Sequence, residues 1–249
     1  MNRTLPLGSH PPDPNWGDQN RSQKAAAILT TLRLIAGLDF SKSYWVDVGC
    51  GCGEIAAHLA LQVGRITAID PSPWQRWPTL KDAHPNLEFI QGDYTGDYPR
   101  PGSVDVVVCN QVYEHVPDPE ALIEFMHRIL KPGGYAYFAG PNLLFPIEPH
   151  VFWPFVHWLP RSFAVRLMHL FGSKAVLDAY STHYWQLLRW FKNFQVINAV
   201  PFILKHPTLY ERGQAWDKVL AVLPTLLLRV LTPLSPGFVF LLRKPGLRE

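Results

Sequence analysis

From residue 21 to about residue 140, apolar and polar positions follow an alternating rhythm. Short apolar runs occur at "YWVDVG" (44–49), "RITAID" (65–70), "LEFIQGD" (87–93), "VDVVVCNQ" (104–111) and "GYAYFAG" (134–140). Stretches of helical spacing lie between them, near 54–62, 73–83 and 118–130, and "RSQKAAAILTTLRLIAGL" (21–38) reads as a helix with Gly37 near its end. Near-continuous apolar runs mark strands buried on both faces. Their alternation with helices predicts a parallel sheet with right-handed crossovers.

After Pro141 the rhythm breaks. Residues 141–182, rich in Phe, Trp, His and Pro, read as a long insertion after the fifth strand. A helix follows over 183–194, then a strand across "QVINAVPFIL" (195–204), a mostly apolar helical stretch over about 208–232, and a last strand, "FVFLLRK" (238–244). The first twenty residues, rich in proline and asparagine, read as a loose arm.

Composition narrows the class. With 249 residues, 47% hydrophobic and 17% charged, the chain is globular and long enough for one sizeable α/β unit. Three cysteines, Cys50, Cys52 and Cys109, do not make a disulfide framework and suit a reducing compartment, most simply the cytosol. The opening residues hold no apolar run of signal-peptide length, so secretion is not expected. "VFWPFVHWLP" (151–160) and "VLAVLPTLLLRVL" (219–231) are the most apolar segments, and each is too short and too broken by proline to span a bilayer. Residues 1–140 carry 11 Lys and Arg against 15 Asp and Glu, a net −4, whereas residues 141–249 carry 12 against 5, a net +7.

"VDVGCGCGEIAAHLA" (46–60) places a Gly-x-Gly-x-Gly turn between a strand ending in Asp47 and a helix starting at Glu54. Glycines there let the backbone turn sharply or approach a ligand closely. Tight glycine turns are common, but three further features make this one specific. Asp70 ends the second strand, where an acidic side chain can accept from both hydroxyls of a ribose. Asp93, in "GDY", ends the third strand, in place to accept from an adenine amino group. "LKPGGYAYF" (130–138) supplies a helix end, a tight turn and a fifth strand. A dehydrogenase fingerprint needs its third glycine one residue later. A zinc site needs about four ligands, and Cys50 and Cys52 have no second pair at ligand spacing, so no metal is expected and both cysteines read as fillers of small gaps in the turn.

With "DVGCGCG", "AID", "QGD", "NQVYEHVPDP" and "LKPGG" in this order, the sequence resembles a class I S-adenosylmethionine-dependent methyltransferase, and most closely the ubiquinone/menaquinone-type and small-molecule group. The likeness is close over residues 43–140 and holds in outline over 183–244. It implies a Rossmann-like fold: a mostly parallel seven-stranded sheet with helices on both faces and an insertion after the fifth strand. All 249 residues would then form a single domain, with an arm (1–20), a cofactor-binding core (21–140), an acceptor-recognition insertion (141–182) and a C-terminal completion (183–249). It also implies S-adenosyl-L-methionine as cofactor. Asp47, Gly49, Cys50, Gly51 and Gly53 would surround its amino-acid end, Asp70 would hold its ribose, Asp93 and Tyr94 would flank its adenine, and Pro71 would be a further cofactor-binding residue. Asn110 and Gln111 would lie beside the sulfonium.

The acceptor side is more open. Methyl transfer to a hydroxyl or an acidic carbon needs alignment and a base. His115, just past the fourth strand, is the first candidate base, since imidazole titrates near neutrality, and its alternative is to fasten the loop or cap the next helix. Glu114 reads as a solvated or loop-pinning carboxylate. Glu148 and His150, polar residues in an apolar stretch, either grip the acceptor, with an alternative base among them, or tie the insertion to the sheet. Phe152, Trp153, Phe155 and Trp158 read as packing or pocket, and His183 and Tyr184 head a helix that can face the pocket.

The expected function is methylation of a small-molecule or lipid-linked acceptor, at oxygen or carbon. A non-catalytic partner subunit is the alternative, although the retained Asp47, glycines, Asp70 and Asp93 argue against decay of the site. Nucleic acid is not expected, because the basic residues form no compact stripe. The basic, aromatic back half leaves two accounts open. In one, a lid and a core helix cover the sheet and the acceptor is soluble. In the other, a cytoplasmic protein meets a lipid-linked acceptor at the membrane surface as a peripheral protein.

Overall fold

Alternation along each strand sends one set of side chains to each side of a central sheet. In strand β1 (Tyr44–Val48), Trp45 faces one layer while Val46 and Val48 face the other. The computed structural model describes residues 21–148, 151–174, 177 and 179–246. The predicted arm over 1–20 lies outside these. Seven strands form the sheet: β1, β2 (Arg65–Asp70), β3 (Leu87–Gln91), β4 (Val104–Asn110), β5 (Leu130–Pro141), and late in the chain β8 (Gln195–Asn198) and β9 (Gly237–Arg243). Their spatial order is β3-β2-β1-β4-β5-β9-β8, parallel except for β9, which runs antiparallel to both its neighbours. The mostly parallel, seven-stranded expectation therefore holds.

Helices cover both faces. Helices α1 (Arg21–Ala36), α2 (Glu54–Ala60) and α3 (Trp77–Ala83) pack on the side of Trp45, Ala68, Val106 and Leu241. On the other side, α4 (Pro119–Ile129) buries Leu122, Phe125, Met126 and Ile129 against Val46, Val107 and Phe138. Asp118 caps α4, accepting from Ala121 N at 3.0 Å, and Pro119 opens the helix where its missing N–H costs nothing. Helix α6 (Tyr184–Trp190) joins this layer through Leu187.

Between them the insertion forms a two-residue-per-strand hairpin, β6 (Ile147–Glu148) with β7 (Trp153–Pro154), a 3₁₀ turn over Val156–Trp158, and helix α5 (Arg161–Leu170). It has a small core of its own, built on Val156, Ala164, Met168 and Leu177.

Two expectations near the C-terminus need correction. Residues 195–204 are not one strand: β8 stops at Asn198, and α7 (Val200–Lys205) follows at once. Asn198 Oδ1 accepts from Val200 N at 3.1 Å, and Pro201 in the first turn cannot supply a ladder N–H. Nor is 208–232 a core helix. It divides into a 3₁₀ turn at Pro207–Tyr210, α8 (Ala215–Val222) and α9 (Thr225–Leu231), with Pro224 at the break, and most of its large apolar side chains are exposed.

Candidate functional site

The turn between β1 and α2 is held by backbone bonds from Gly49 N and Cys50 N to Ile69 O, at 2.8 and 3.1 Å. Gly49, Gly51 and Gly53 all have positive φ, at 69°, 53° and 86°. They do not serve the same purpose. A Cβ on Gly49 would lie 2.6 Å from Val112, and one on Gly53 2.5 Å from Phe89, so both are glycine because protein packs against them. A Cβ on Gly51 would meet nothing nearer than Trp74 at 3.8 Å. Gly51 thus presents the open face of the turn.

Its peptide is pinned on both sides. Gly51 N donates to Asp70 Oδ2 at 2.8 Å, and Trp77 Nε1 donates to Gly51 O at 2.9 Å while the Trp77 ring stacks on Phe89. Asp70 Oδ1 accepts from Ser72 N at 3.0 Å. Burial raises the Asp70 carboxyl above its ordinary range, and the N–H groups of Ser72 and Gly51 pull it partly back. Asp47 is buried beneath the turn, and its Oδ2 has no hydrogen-bond partner. Burial, with the Asp70 charge adding to it, pushes Asp47 up to about 7. Two carboxyl groups beside an unobstructed glycine backbone can accept hydrogen bonds from ammonium and hydroxyl groups. Cys50 and Cys52 are buried as the gap-filling expectation requires, and burial pushes the Cys50 thiol upward, away from reactivity.

A cavity of about 490 Å³ opens beyond the carboxyl ends of β2 and β3, lined among others by Pro71, Gly92, Asp93 and Tyr98. Asp93 stands two residues past the end of β3 and is exposed, with Oδ1 accepting from Thr95 N at 2.8 Å and Thr95 Oγ1 at 2.6 Å. Tyr94 is half-buried, and its hydroxyl accepts from Asp118 N at 3.4 Å. Asn110 ends β4, and Gln111 follows at φ 59°, an uncommon conformation for a residue with a side chain, held by Gln111 N donating to Ala139 O at 2.8 Å.

Past Gln111 the chain turns inward. Tyr113 is fully buried, its hydroxyl donating to Pro141 O and accepting from Thr182 N at 3.2 Å. Glu114 is also fully buried, which overturns its reading as a solvated carboxylate: the loop turns back under β5, and Tyr180 N donates to Glu114 O at 2.7 Å. His115 remains partly exposed, with Nε2 3.9 Å from Glu114 Oε1. The imidazole and the buried carboxylate therefore meet at the carboxyl ends of β4 and β5.

The insertion's polar residues separate. Glu148 is buried, and its Oε2 accepts from Val151 N at 2.8 Å, which closes the β6–β7 turn. His150 lies outside the described residues. Val156 is buried in the insertion's own core, whereas Phe152, Phe155 and Trp158 are exposed and Trp153 is half-buried against Phe171. His183 caps α6 through Nδ1, which accepts from Gln186 N at 3.2 Å, and Tyr184 packs on Phe238 and Phe240. Sequence reasoning missed Trp74 and Trp77, which frame Gly51. The signal available was "PSPWQRW" directly after "AID".

Comparison with known proteins bears on this arrangement. A family model described as a methyltransferase domain matches residues 18–199. A curated relative, the ubiquinone biosynthesis O-methyltransferase of Xanthomonas oryzae pv. oryzae (strain PXO99A), is 34% identical over 136 residues, 51% of this chain and 56% of that protein. This chain thus matches little more than half the length of that relative. Among solved structures, Burkholderia thailandensis 1,6-didemethyltoxoflavin-N1-methyltransferase superposes with a TM-score of 0.54 at 16% identity, covering 93% of this chain and 81% of the other. Geranyl diphosphate C-methyltransferase from Streptomyces coelicolor A3(2) does so at 0.54 and 14%, covering 89% and 74%. At such identities these two establish the shared fold alone.

Proposed function

The chain belongs to the methyltransferase-domain family, among the class I S-adenosylmethionine-dependent methyltransferases, and on that premise we propose that it methylates an oxygen of a small-molecule acceptor held over the carboxyl ends of β1, β4 and β5. The observation that carries this reading is the open face of Gly51 between two acidic groups, the buried Asp47 and the half-buried Asp70. When bound, S-adenosylmethionine supplies a methyl group on a positively charged sulfur, a good leaving group. The residues present fit it. Gly49, Cys50, Gly51 and Gly53 give its amino-acid end close backbone approach, and Asp47 offers a buried carboxylate to an ammonium. Each Asp70 oxygen already accepts one N–H and keeps a lone pair for a ribose hydroxyl. Pro71, Asp93 and Tyr94 border the space for the adenine, and Asn110 and Gln111 border the reacting end.

On the acceptor side, His115 takes the acceptor's proton, and the imidazolium it becomes faces the Glu114 carboxylate. Glu148 supports the insertion that covers the acceptor. The acceptor we favour is a phenolic or enolic hydroxyl on a lipid-linked molecule such as a prenylated quinol, in line with what the Xanthomonas relative is named for. The free, buried cysteines suit a reducing compartment, and we place the protein in the cytoplasm. The whole chain acts as one catalytic unit in this reading.

The test is calorimetric titration of the full chain with S-adenosylmethionine, followed by mass-spectrometric screening of prenylated catechols for a methylated product. His115→Ala is expected to lower turnover at least about 100-fold while cofactor affinity stays within about threefold of wild type, the bound that separates the two roles. An unchanged rate across pH 6–9 would return His115 to fastening the loop. No heat of binding for the cofactor would overturn the reading itself.

A further inference from the structure

The connection between β8 and β9 starts and finishes at the carboxyl end of the sheet. Asn198 ends β8 there, and Gly237 opens β9 opposite Pro141. Its last turn is fastened beside the functional site: Asn142 Nδ2 donates to Pro233 O at 2.8 Å and to Ser235 O at 2.7 Å. Helix α9 uses only a narrow inner stripe for this packing. Leu228 and Thr232, four residues apart, are buried, and Thr232 accepts from Asn198 Nδ2 at 2.9 Å. The outer stripe is apolar as well. Trp216, Val219 and Val222 on α8, then Leu226, Val230 and Leu234, are all exposed, Trp216, Val222 and Leu226 by about three quarters. A run of exposed apolar side chains at helical spacing, over two consecutive helices, marks a surface that meets something.

The charges on the same segment decide what it meets. Lys218 and Arg229 are exposed. Between Arg212 and Gly237 the only carboxylate is Asp217, which is buried and held by Arg212 at 2.8 Å. The face is therefore apolar and cationic, with no exposed acidic side chain. A second copy of the chain meeting it across a two-fold axis would set these cations against their own kind. A bilayer with anionic headgroups satisfies both parts at once: apolar side chains enter the acyl boundary, Trp216 sits at the headgroup level, and the two cations reach phosphate.

We propose that α8 and α9 form a docking face for an anionic membrane, which brings the carboxyl end of the sheet to the bilayer surface. This deepens the proposed function by naming where a lipid-linked acceptor is met. It is tested by lipid binding alone, so its failure and the failure of the catalytic reading are separable.

The experiment is co-sedimentation of the full chain with vesicles of equimolar phosphatidylglycerol and phosphatidylcholine, or of phosphatidylcholine only, at low and high salt. The protein is expected to sediment with the anionic vesicles at low salt and several-fold less at high salt. The exposed triple variant Trp216→Ser/Leu226→Ser/Val230→Ser is expected to partition at least about tenfold less. Lys218→Glu/Arg229→Glu is expected to lose the preference for anionic vesicles. Far-UV circular dichroism and the urea midpoint of both variants should match wild type, which shows that they fold. No sedimentation of the wild type at either salt, or equal sedimentation of the triple variant, overturns the proposal. So does sedimentation velocity showing a wild-type dimer that the triple variant breaks, with no lipid bound by either.

Discussion

Gly51 and Gly53 differ by two positions and by what a side chain would strike. Both sit at positive φ, so alanine at either adds backbone strain of roughly 1–2 kcal/mol. At Gly53 a Cβ also meets the Phe89 ring at 2.5 Å, and Phe89 is stacked on Trp77 and cannot yield freely. Overpacking of this kind costs about 1–3 kcal/mol more. Gly53→Ala is thus expected to lower the urea midpoint clearly, and Gly51→Ala to lower it less but weaken cofactor binding more. Equal effects of the two on both measurements would mean that Gly51 faces protein.

Asp47 sets a pH dependence. Its folded-state pKa of about 7 lies above the ordinary 3.8, so the native state holds a proton that the unfolded chain has released between those values. Stability of the ligand-free protein is therefore expected to fall as pH rises from about 4 to about 7, then level off, by on the order of 4 kcal/mol at most. Asp47→Asn should flatten this window in denaturant titrations. Because an ammonium prefers the ionised carboxylate, affinity for S-adenosylmethionine should climb over the same range, and a flat affinity from pH 5.5 to 8 would remove Asp47 from the cofactor's cationic end.

Among elements, the segment after β5 depends on one side chain. Asn142 is buried; its amide donates to Pro233 O and Ser235 O, and its Oδ1 accepts from Leu144 N at 3.0 Å. It ties the start of the insertion to the 3₁₀ turn that follows α9. Asn142→Ala leaves two carbonyls and one N–H without their partners, at about 1–3 kcal/mol each where the group stays buried. The variant should lose on the order of 2–4 kcal/mol and exchange amide hydrogens faster at residues 143–145 and at Leu234 and Ser235 than wild type. Faster exchange spread evenly over the sheet would mean that Asn142 stabilises the fold generally and does not fasten these two segments.

In the whole molecule, the candidate site draws its groups from remote parts of the chain, gathered at one edge of one sheet. Hydrogen bonds that span as many as 93 residues join Tyr113 to Thr182, Glu114 to Tyr180 and Asn142 to Ser235 there. A ligand bound to such a site stabilises every segment that forms it. At 100 times its dissociation constant, S-adenosylmethionine adds about 2.7 kcal/mol, which for a chain of this size raises the thermal midpoint by roughly 5–10 °C. Scanning calorimetry with and without the cofactor checks this, and an unmoved midpoint at saturation would mean that the site does not form as described. Among the described residues no helix is long and apolar enough to cross a membrane.

The sequence by itself determined the sheet and the edge of it where the candidate site lies. Apolar runs buried on both faces are nearly continuous, a turn at positive φ selects glycine, and Asp47 and Asp70 stand at the ends of adjacent strands, all of which are local signals. Where local signals compete, tertiary structure decided. "QVINAVPFIL" has strand composition throughout, but a turn at Asn198 and the geometry of Pro201 end the ladder after four residues. Glu114 and His115 are neighbours in sequence, yet one is fully buried and the other partly exposed, because the depth of a loop residue depends on what returns over it from residues 140 and 180. The apolar run of 219–231 reads the same whether it covers a core or faces outward. Only the narrow stripe of Leu228 and Thr232, pressed on the sheet through Asn198, shows that most of it faces outward.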